Sequence, residues 1–370
     1  MAVAATAISF FVIIIAVTVA AGFRKEIRGG VRALTGDVIL TGAGSGSYNG
    51  ENPIACDSAF LSSLKTLDGV ASADPVVYRA AIVRNEGKIQ GILIKAVPSS
   101  DSLSLQVSIP KKLSTLLGLA PGDRMNTYFV GDRLRARTFT VSGIYDSLVE
   151  TDDRLVVFAA IDDMRRVNGW DERQASAVEI TLEPGCNEGD AQRLKAAAIG
   201  IAATGLSGDD ARLYAQAAED RYSSLFNWLD LVDFNVLAIL VLMTVVAGFN
   251  MISGLLIMLF RNIHTIGTLK ALGMNGVGIS AVFLRVASRI VLKGMLAGNA
   301  LALLFCLVQG RTHLLKLNPE NYFVSFVPVS VSIPQILLVD AWAYLVIMLL
   351  LLIPCLFISR VDPAETVRVR

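Results

Sequence analysis

Charge, histidine and cysteine are all scarce in this 370-residue sequence. Charged residues make up 18%, and 33 Lys and Arg against 32 Asp and Glu leave a formal net charge of +1. No bulk field therefore favours nucleic acid or an acidic substrate, and no nucleic-acid partner is expected. Two histidines, His264 and His313, are too few for a histidine metal cluster or a histidine-based triad. No Gly-x-x-x-x-Gly-Lys-Ser/Thr occurs, so the usual backbone cradle for ATP phosphates is missing, as are His-Glu-x-x-His, Cys-x-x-Cys and Gly-x-Ser-x-Gly. Asp152 and Asp153 are adjacent, and adjacent strand residues point to opposite faces, so they read as a solvated turn and not as cooperating carboxylates. No catalytic residue and no metal ligand is assigned. Four cysteines make no disulfide scaffold at this length. Cys306 and Cys355 fall in apolar runs as packing residues, whereas Cys56 and Cys186 share the polar middle of the chain and are candidates to pair if that region is extracytoplasmic.

What the chain has is apolar length. A mean hydropathy of +0.57 with 54% hydrophobic residues is too apolar for an ordinary soluble protein and too polar for a purely membrane one. Residues Ala2 to Phe23 carry no charge, about the 20 needed to cross a bilayer, and the run is too long and lacks the basic start of a cleavable signal peptide. The expected organisation is a first span over 1–23, a polar α+β domain with stalk helices over 24–228 and a second span over 229–260. A connector over 261–275, a third span over 276–309, an outer loop over 310–338, a fourth span over 339–359 and a tail over 360–370 complete the chain.

Within the polar domain, strand-like runs lie at Asp37–Leu40, Val76–Val83, Gly91–Val97, Thr138–Ile144, Leu155–Phe158 and Val178–Leu182. Helical spacing marks Ser58–Leu67, Lys111–Leu117, Ile161–Arg166 and Ala191–Ile201. Gly42–Asn52 reads as a flexible loop, Gly122-Asp123 as a turn and Gly143 as a bulge or close approach. From Asp209 to Phe260 one long helical pattern is expected, with Tyr214, Ala217, Ala218, Tyr222, Leu225, Phe226 and Leu229 on a packing face.

The connector is a short helix with Ile263, Ile266, Leu269 and Leu272 on one broad face, stopped by Gly273. An apolar ridge on a polar link between spans suits either docking into another protein's groove or lying on lipid headgroups. In the third span Arg285, Arg289 and Lys293 stand at i, i+4 and i+8, a basic stripe at the membrane interface that snorkels to lipid phosphates or faces a cytoplasmic partner, the alternative being a charged pathway inside the membrane. Gly294-x-x-x-Gly298 permits close helix packing, Trp228, Trp342 and Tyr344 suit an outer aromatic belt, and Pro354 should bend the fourth span near its inner end.

Arg261-Asn-Ile-His-Thr-Ile-Gly-Thr-Leu-Lys-Ala-Leu-Gly273 resembles the coupling helix of the FtsX/MacB/Lol group of ABC-transporter permeases, with Arg261, Ile266, Gly267, Leu269, Lys270, Ala271 and Gly273 in register. The resemblance covers nearly the whole chain. It includes Gly22-Phe23-Arg-Lys-Glu-Ile, Phe139-Thr-Val-Ser-Gly-Ile-Tyr145, Glu150-Thr-Asp-Asp-Arg154 and the ending Pro363-Ala-Glu-Thr-Val-Arg368. Tyr322 to Pro328-Val329 resembles the outer loop of the lipoprotein-releasing (Lol) subfamily. The family's basic elbow helix ahead of the first span is not found after Met1, which implies an internal start or a trimmed end. Arg24, Lys25, Arg28 and Arg32 would by the positive-inside rule place the polar domain in the cytoplasm, but that rule weakens before a long domain, and Arg261, Lys270, Arg285, Arg289, Lys293, Arg360, Arg368 and Arg370 form a larger basic set on the other side.

The resemblance implies an α-helical membrane protein of four spans with an inserted α+β, MacB-like periplasmic core, multi-pass in a bacterial inner membrane. It implies that Arg261, Ile263, Ile266, Gly267, Leu269, Lys270 and Gly273 contact a separate ABC ATPase, which holds the ATP and Mg while this chain binds no cofactor. A second permease, identical or related, membrane lipid, a lipoprotein cargo and a periplasmic carrier are the other implied partners. Val167, Asn168, Gly169 and Trp170, in Val167–Ser176, are a candidate carrier-contact hairpin. The rival functions are a MacB-like efflux permease, an FtsX-like regulator of cell-wall hydrolases and, last, a membrane-tethered enzyme.

Overall fold

The computed structural model describes residues 2–42, 53–98, 104–129, 135–146, 155–183, 188–205, 213–318, 322 and 324–355. The chain divides into a membrane unit (Met1–Lys25, Asn227–Leu317, Phe326–Arg370) and an α/β unit (Glu26–Phe226, Asn318–Ser325).

The membrane unit is built on four helices long and apolar enough to span: α1 (Ala2–Thr35), α7 (Ser223–Arg261), α9 (Gly276–Thr312) and the segment Ile333–Cys355, whose first part is α10 (Ile333–Leu350). Helix is the solution for such runs because every backbone polar group is then satisfied inside its own segment. Small residues set where the helices touch. A Cβ on Gly298 would lie 2.5 Å from the Ala7 carbonyl oxygen and 2.9 Å from Phe10 Cβ, and one on Gly294 would lie 2.8 Å from Thr6 Cβ. The Gly-x-x-x-Gly pair is thus where α9 receives α1. The fourth span starts at Ile333, behind Ser332 as N-cap, with a proline in its first turn. It breaks at Leu351, because Pro354 has no N–H for the Leu350 carbonyl and its ring crowds that group.

At the outer end the chain from Phe326 to Ser332 lies along α1 and α9. Ser330 N donates to the Thr18 carbonyl at 3.0 Å. Gln309, 2% exposed, donates from Nε2 to the Val327 carbonyl at 3.1 Å and accepts from Leu315 N at 3.1 Å. His313 closes α9 in the left-handed conformation (φ 46°) with its ring 4.1 Å from that of Phe326.

The α/β unit carries one nine-stranded sheet in the order β11-β1-β10-β3-β4-β8-β5-β7-β6. The strands are β1 (Val38–Gly42), β3 (Val70–Asn85), β4 (Lys88–Val97), β5 (Gln106–Pro110), β6 (Arg124–Phe129), β7 (Arg135–Tyr145), β8 (Val156–Ala160), β10 (Ala177–Leu182) and β11 (Leu213–Ala217). A further β3–β6 pairing, Ile82 opposite Tyr128, closes six of them into a barrel. Its interior is Val77, Val83, Ile94, Ile109, Met125, Phe129, Phe139 and Val157, all fully buried, with α3 (Lys111–Leu117) and α4 (Ile161–Asn168) packed on it. The second core lies between the β10-β1-β11 end and helices α2 (Ser58–Lys65) and α5 (Glu188–Gly205). The 16-residue strand β3 serves both cores, pairing with β10 through its first half and with β4 through its second. A two-stranded pairing joins β2 (Ile54–Ala55) to β9 (Gln174–Ala175).

All six predicted strands and all four predicted helices of this unit are present, Lys111–Leu117 with the same ends and the others with shifted ones. Gly143 sits at the irregularity where Ser108 pairs with it after Val107 pairs with Val141, a bulge as expected. Gly122 takes φ 96° in its turn. The continuous helix expected from Asp209 is corrected: residues 213–217 form β11, with Leu213, Ala215 and Ala217 buried and Tyr214 exposed, before the short α6 (Ala218–Arg221) and then α7. An alternating Leu-Tyr-Ala-Gln-Ala run fits a period of two as well as a helix, and the open edge of β1 decides between them. The loop 43–52, the Glu150–Arg154 phrase and the tail from Ser359 lie outside the described residues.

Candidate functional site

Two spans enter and leave α8 (Ile263–Ala271), and local chemistry fixes both its ends. Helix α7 stops at Arg261 because Asn262 leaves the helical region (φ −111°, ψ 19°), its side-chain amide donating back to the Met258 carbonyl at 2.8 Å. At the far end Gly273 takes φ 88°, and Met274 N donates to the Leu269 carbonyl at 2.9 Å, a left-handed stop that relieves the orphaned carbonyls. Asn275 then caps α9.

The connector's apolar ridge is divided. Ile266, 2% exposed, and Gly267 are buried against the membrane unit's own core, with Leu269 and Met274 packed beside them. Ile263 and Lys270 are half-buried, and Leu272, at 79% exposure, is the one ridge residue left open together with His264, Thr265, Thr268 and Gly273. Of the residues expected to meet a partner, Ile266 and Gly267 thus face this chain's own membrane unit. A nine-residue helix cannot hold itself by propensity, and its buried ridge is what fixes it between α7 and α9. Arg261 belongs to α7, one residue before the chain turns.

Arg285, Arg289 and Lys293 are exposed in one row on α9, while Ala287, Val291 and Gly294 on the opposite face are buried. Among the described residues no carboxylate pairs with the three. The basic residues of α1 behave differently. Arg24 pairs with Asp230 at 3.1 Å and with Asp233, Arg28 with Glu219 at 3.0 Å, and Arg32 with Asp37 at 2.7 Å. The charge of these three arginines is thus met by protein carboxylates, unlike that of the stripe on α9.

Val167–Trp170 is the end of a helix and not a hairpin, a correction with a local cause. Ile161, Met164 and Val167 bury one face of α4, Gly169 (φ 74°) closes it, Trp170 N donates to the Arg165 carbonyl at 2.9 Å and the indole packs on the barrel core. Cys56 is a buried free thiol pushed up to about 12, mainly by burial, with Arg165 opposing and Asp57 adding to the effect. Its candidate partner Cys186 lies outside the described residues.

Two polar groupings escaped the sequence reading. In the α/β unit Lys95 pairs with Glu179 at 2.6 Å and donates to the Leu34 carbonyl at 2.7 Å, capping the end of α1, while Tyr78 donates to the other Glu179 oxygen. Burial, then the Glu179 charge, drives the Tyr78 hydroxyl well above its ordinary value. In the membrane unit Asp340, 4% exposed, accepts from Asn299 Nδ2 at 2.5 Å, joining α10 to α9. The signal was available: a carboxylate inside an apolar run asks for a partner. The expected fourth span began at 339, which left Asp340 at a boundary it does not occupy.

Residues 237–363, from α7 through α8 and α9 and past the last described residue, match the FtsX-like permease C-terminal family model. LolC, the lipoprotein-releasing system transmembrane protein, from Xylella fastidiosa (strain 9a5c) is 24% identical over 391 residues, 98% of this chain and 91% of that one. LolC from Neisseria meningitidis serogroup B is 23% identical over 416 residues, covering 99% and 92%. The chain is similar to FtsX-type permeases, through the family model over its last third and through LolC proteins along nearly its whole length. The likeness is to permeases of the ABC-transporter class, LolC among them, and it agrees with the four helices long and apolar enough to cross a membrane. The periplasmic region of MacB from Actinobacillus actinomycetemcomitans overlaps 53% of this chain and 96% of its own at 11% identity and TM-score 0.34, a likeness too loose to add to the argument.

Proposed function

We propose that this permease is the membrane subunit of an ABC transporter that extracts lipoproteins from the inner membrane and hands them to a periplasmic carrier. Similarity to LolC proteins along nearly the full length of both chains carries the reading. A separate ATPase, holding ATP and Mg, supplies the work, and a second permease, identical or related, completes the membrane part. The surface offered to the ATPase is the open side of α8, where His264, Thr268 and Leu272 follow one another at i, i+4 and i+8. Because Ile266 and Gly267 hold α8 in the core of the membrane unit, a push on that side is borne by α7 and α9 and not absorbed by a loose loop.

Leu272→Asp tests the surface: it leaves the buried ridge untouched and should abolish co-purification of the ATPase, whereas unchanged co-purification overturns the assignment. Depletion of the permease tests the cargo. Lipoproteins should accumulate in the inner membrane, and an unaltered distribution would refute lipoprotein release while leaving the ABC-permease class intact.

A further inference from the structure

The inner end of the membrane unit contains a cavity of about 540 Å³ between the start of α1, the last turns of α7 and the early turns of α9. Met251, Leu255, Met258, Phe283 and Ala287 form an apolar wall, and Arg261 stands among the lining residues as the one charge. The cleft is apolar along this wall and polar at Arg261 and Asn262, and at this depth the surrounding solvent is acyl chain. The charge surrounding it is of one sign. From Met251 to Lys293 the chain carries Arg261, Lys270, Arg285, Arg289 and Lys293 and no carboxylate, and the carboxylates among the described residues of the membrane unit, Asp230, Asp233 and Asp340, lie in other parts of it. A neutral or zwitterionic amphiphile would leave Arg261 without a counter-charge, and an anionic one supplies it.

The geometry points to a binding site for one anionic phospholipid of the inner leaflet, its acyl chain in the cavity and its phosphate on the Arg261 guanidinium. The two methionines suit a ligand that differs in length and unsaturation, since their unbranched side chains repack at little cost. None of His264, Thr268 and Leu272, the open side of α8, lines this cleft.

Native mass spectrometry of the purified full-length permease tests this, with phosphatidylglycerol and phosphatidylcholine of matched chains supplied equally. The wild type should retain one phosphatidylglycerol in preference, by about fivefold for a single guanidinium near the membrane surface. Arg261→Gln should remove the preference while chain uptake persists, Ala287→Leu should remove uptake of both lipids, and Arg289→Gln, outside the cavity, should change neither. Equal retention by the wild type, a preference that survives Arg261→Gln, or a lipid-free dimer in which a second copy fills the cavity would overturn the site. If Ala287→Leu loses its monodisperse elution peak, Arg261→Gln decides alone.

Discussion

Replacing Gly22 by alanine should loosen the outer end of the membrane unit, although alanine is the better helix former. A Cβ at Gly22 would lie 2.4 Å from the Pro328 carbonyl oxygen, 2.5 Å from its carbon and 2.8 Å from Val329 N, all backbone atoms that cannot swing aside. Relief requires the Pro328–Val329 strand to retreat by roughly 1 Å, since carbon contacts settle near 3.5 Å or beyond. That stretches the 3.0 Å bond from Ser330 N to Thr18 O past useful length. Overpacking costs about 1–3 kcal/mol and the hydrogen bond about 1 kcal/mol, against a helix-propensity gain of about 1 kcal/mol. The net loss is about 1–3 kcal/mol, a fall of about 2–10 °C in midpoint for a unit of this size. Gly29 provides the comparison within α1, because a Cβ there meets nothing within 4 Å. Gly29→Ala should raise stability by about 0.5–1 kcal/mol. Thermal unfolding of the two variants in lipid nanodiscs reads the difference, and a Gly22→Ala protein as stable as Gly29→Ala would refute the close approach.

Gly298→Leu should separate α1 from α9 and lower the unfolding midpoint more than Ala300→Leu on the exposed side of the same helix, so equal effects would show that the glycine is not at the crossing. Asp340→Ala strands the Asn299 amide in the bundle at a cost of about 1–3 kcal/mol, while Asp340→Asn keeps a hydrogen-bonding partner; identical midpoints for the two would remove the pair from the account. The Lys195 hydrogen bond holds the Asp220 carboxyl below its ordinary value of 3.8, so the stability it lends to the start of α6 is present above that value and lost as pH falls through the lower folded value. Hydrogen-exchange protection of Ala217–Tyr222 should therefore fall as the pH is taken below the ordinary carboxyl value of 3.8, modestly because the pair is half in water, and flat protection would count against it. The Cys56 thiol should resist maleimide at neutral pH until the α/β unit unfolds, and rapid labelling of the native protein would contradict its burial.

Much of the architecture was legible because the membrane writes strong signals. The uncharged stretch Leu237–Phe260 allows only a buried or spanning helix, and Gly273 followed by Asn275 marks one helix ending and the next beginning. The misreadings occurred where one short phrase serves two structures. Asn168-Gly169 is as good a hairpin turn as it is a helix stop, and only the burial of Ile161, Met164 and Val167 upstream selects the stop. The 213–217 run fits both periods until an open strand edge is known. The ridge of α8 was visible in the sequence, but which neighbour it covers depends on where α7 and α9 stand, and local pattern does not encode that. The partners of Arg24 and Arg28 were hidden for a related reason: Glu219, Asp230 and Asp233 are near in space and far in sequence.

Strand β3 is a wall with a room on either side. Val77 and Val83 face the barrel, while Ala73 belongs to the chamber under α2 and α5, and all three sit on one unbroken ribbon of backbone. Neither chamber can be remodelled while the other stays as it was. A force applied on one side of the α/β unit would meet the resistance of the whole.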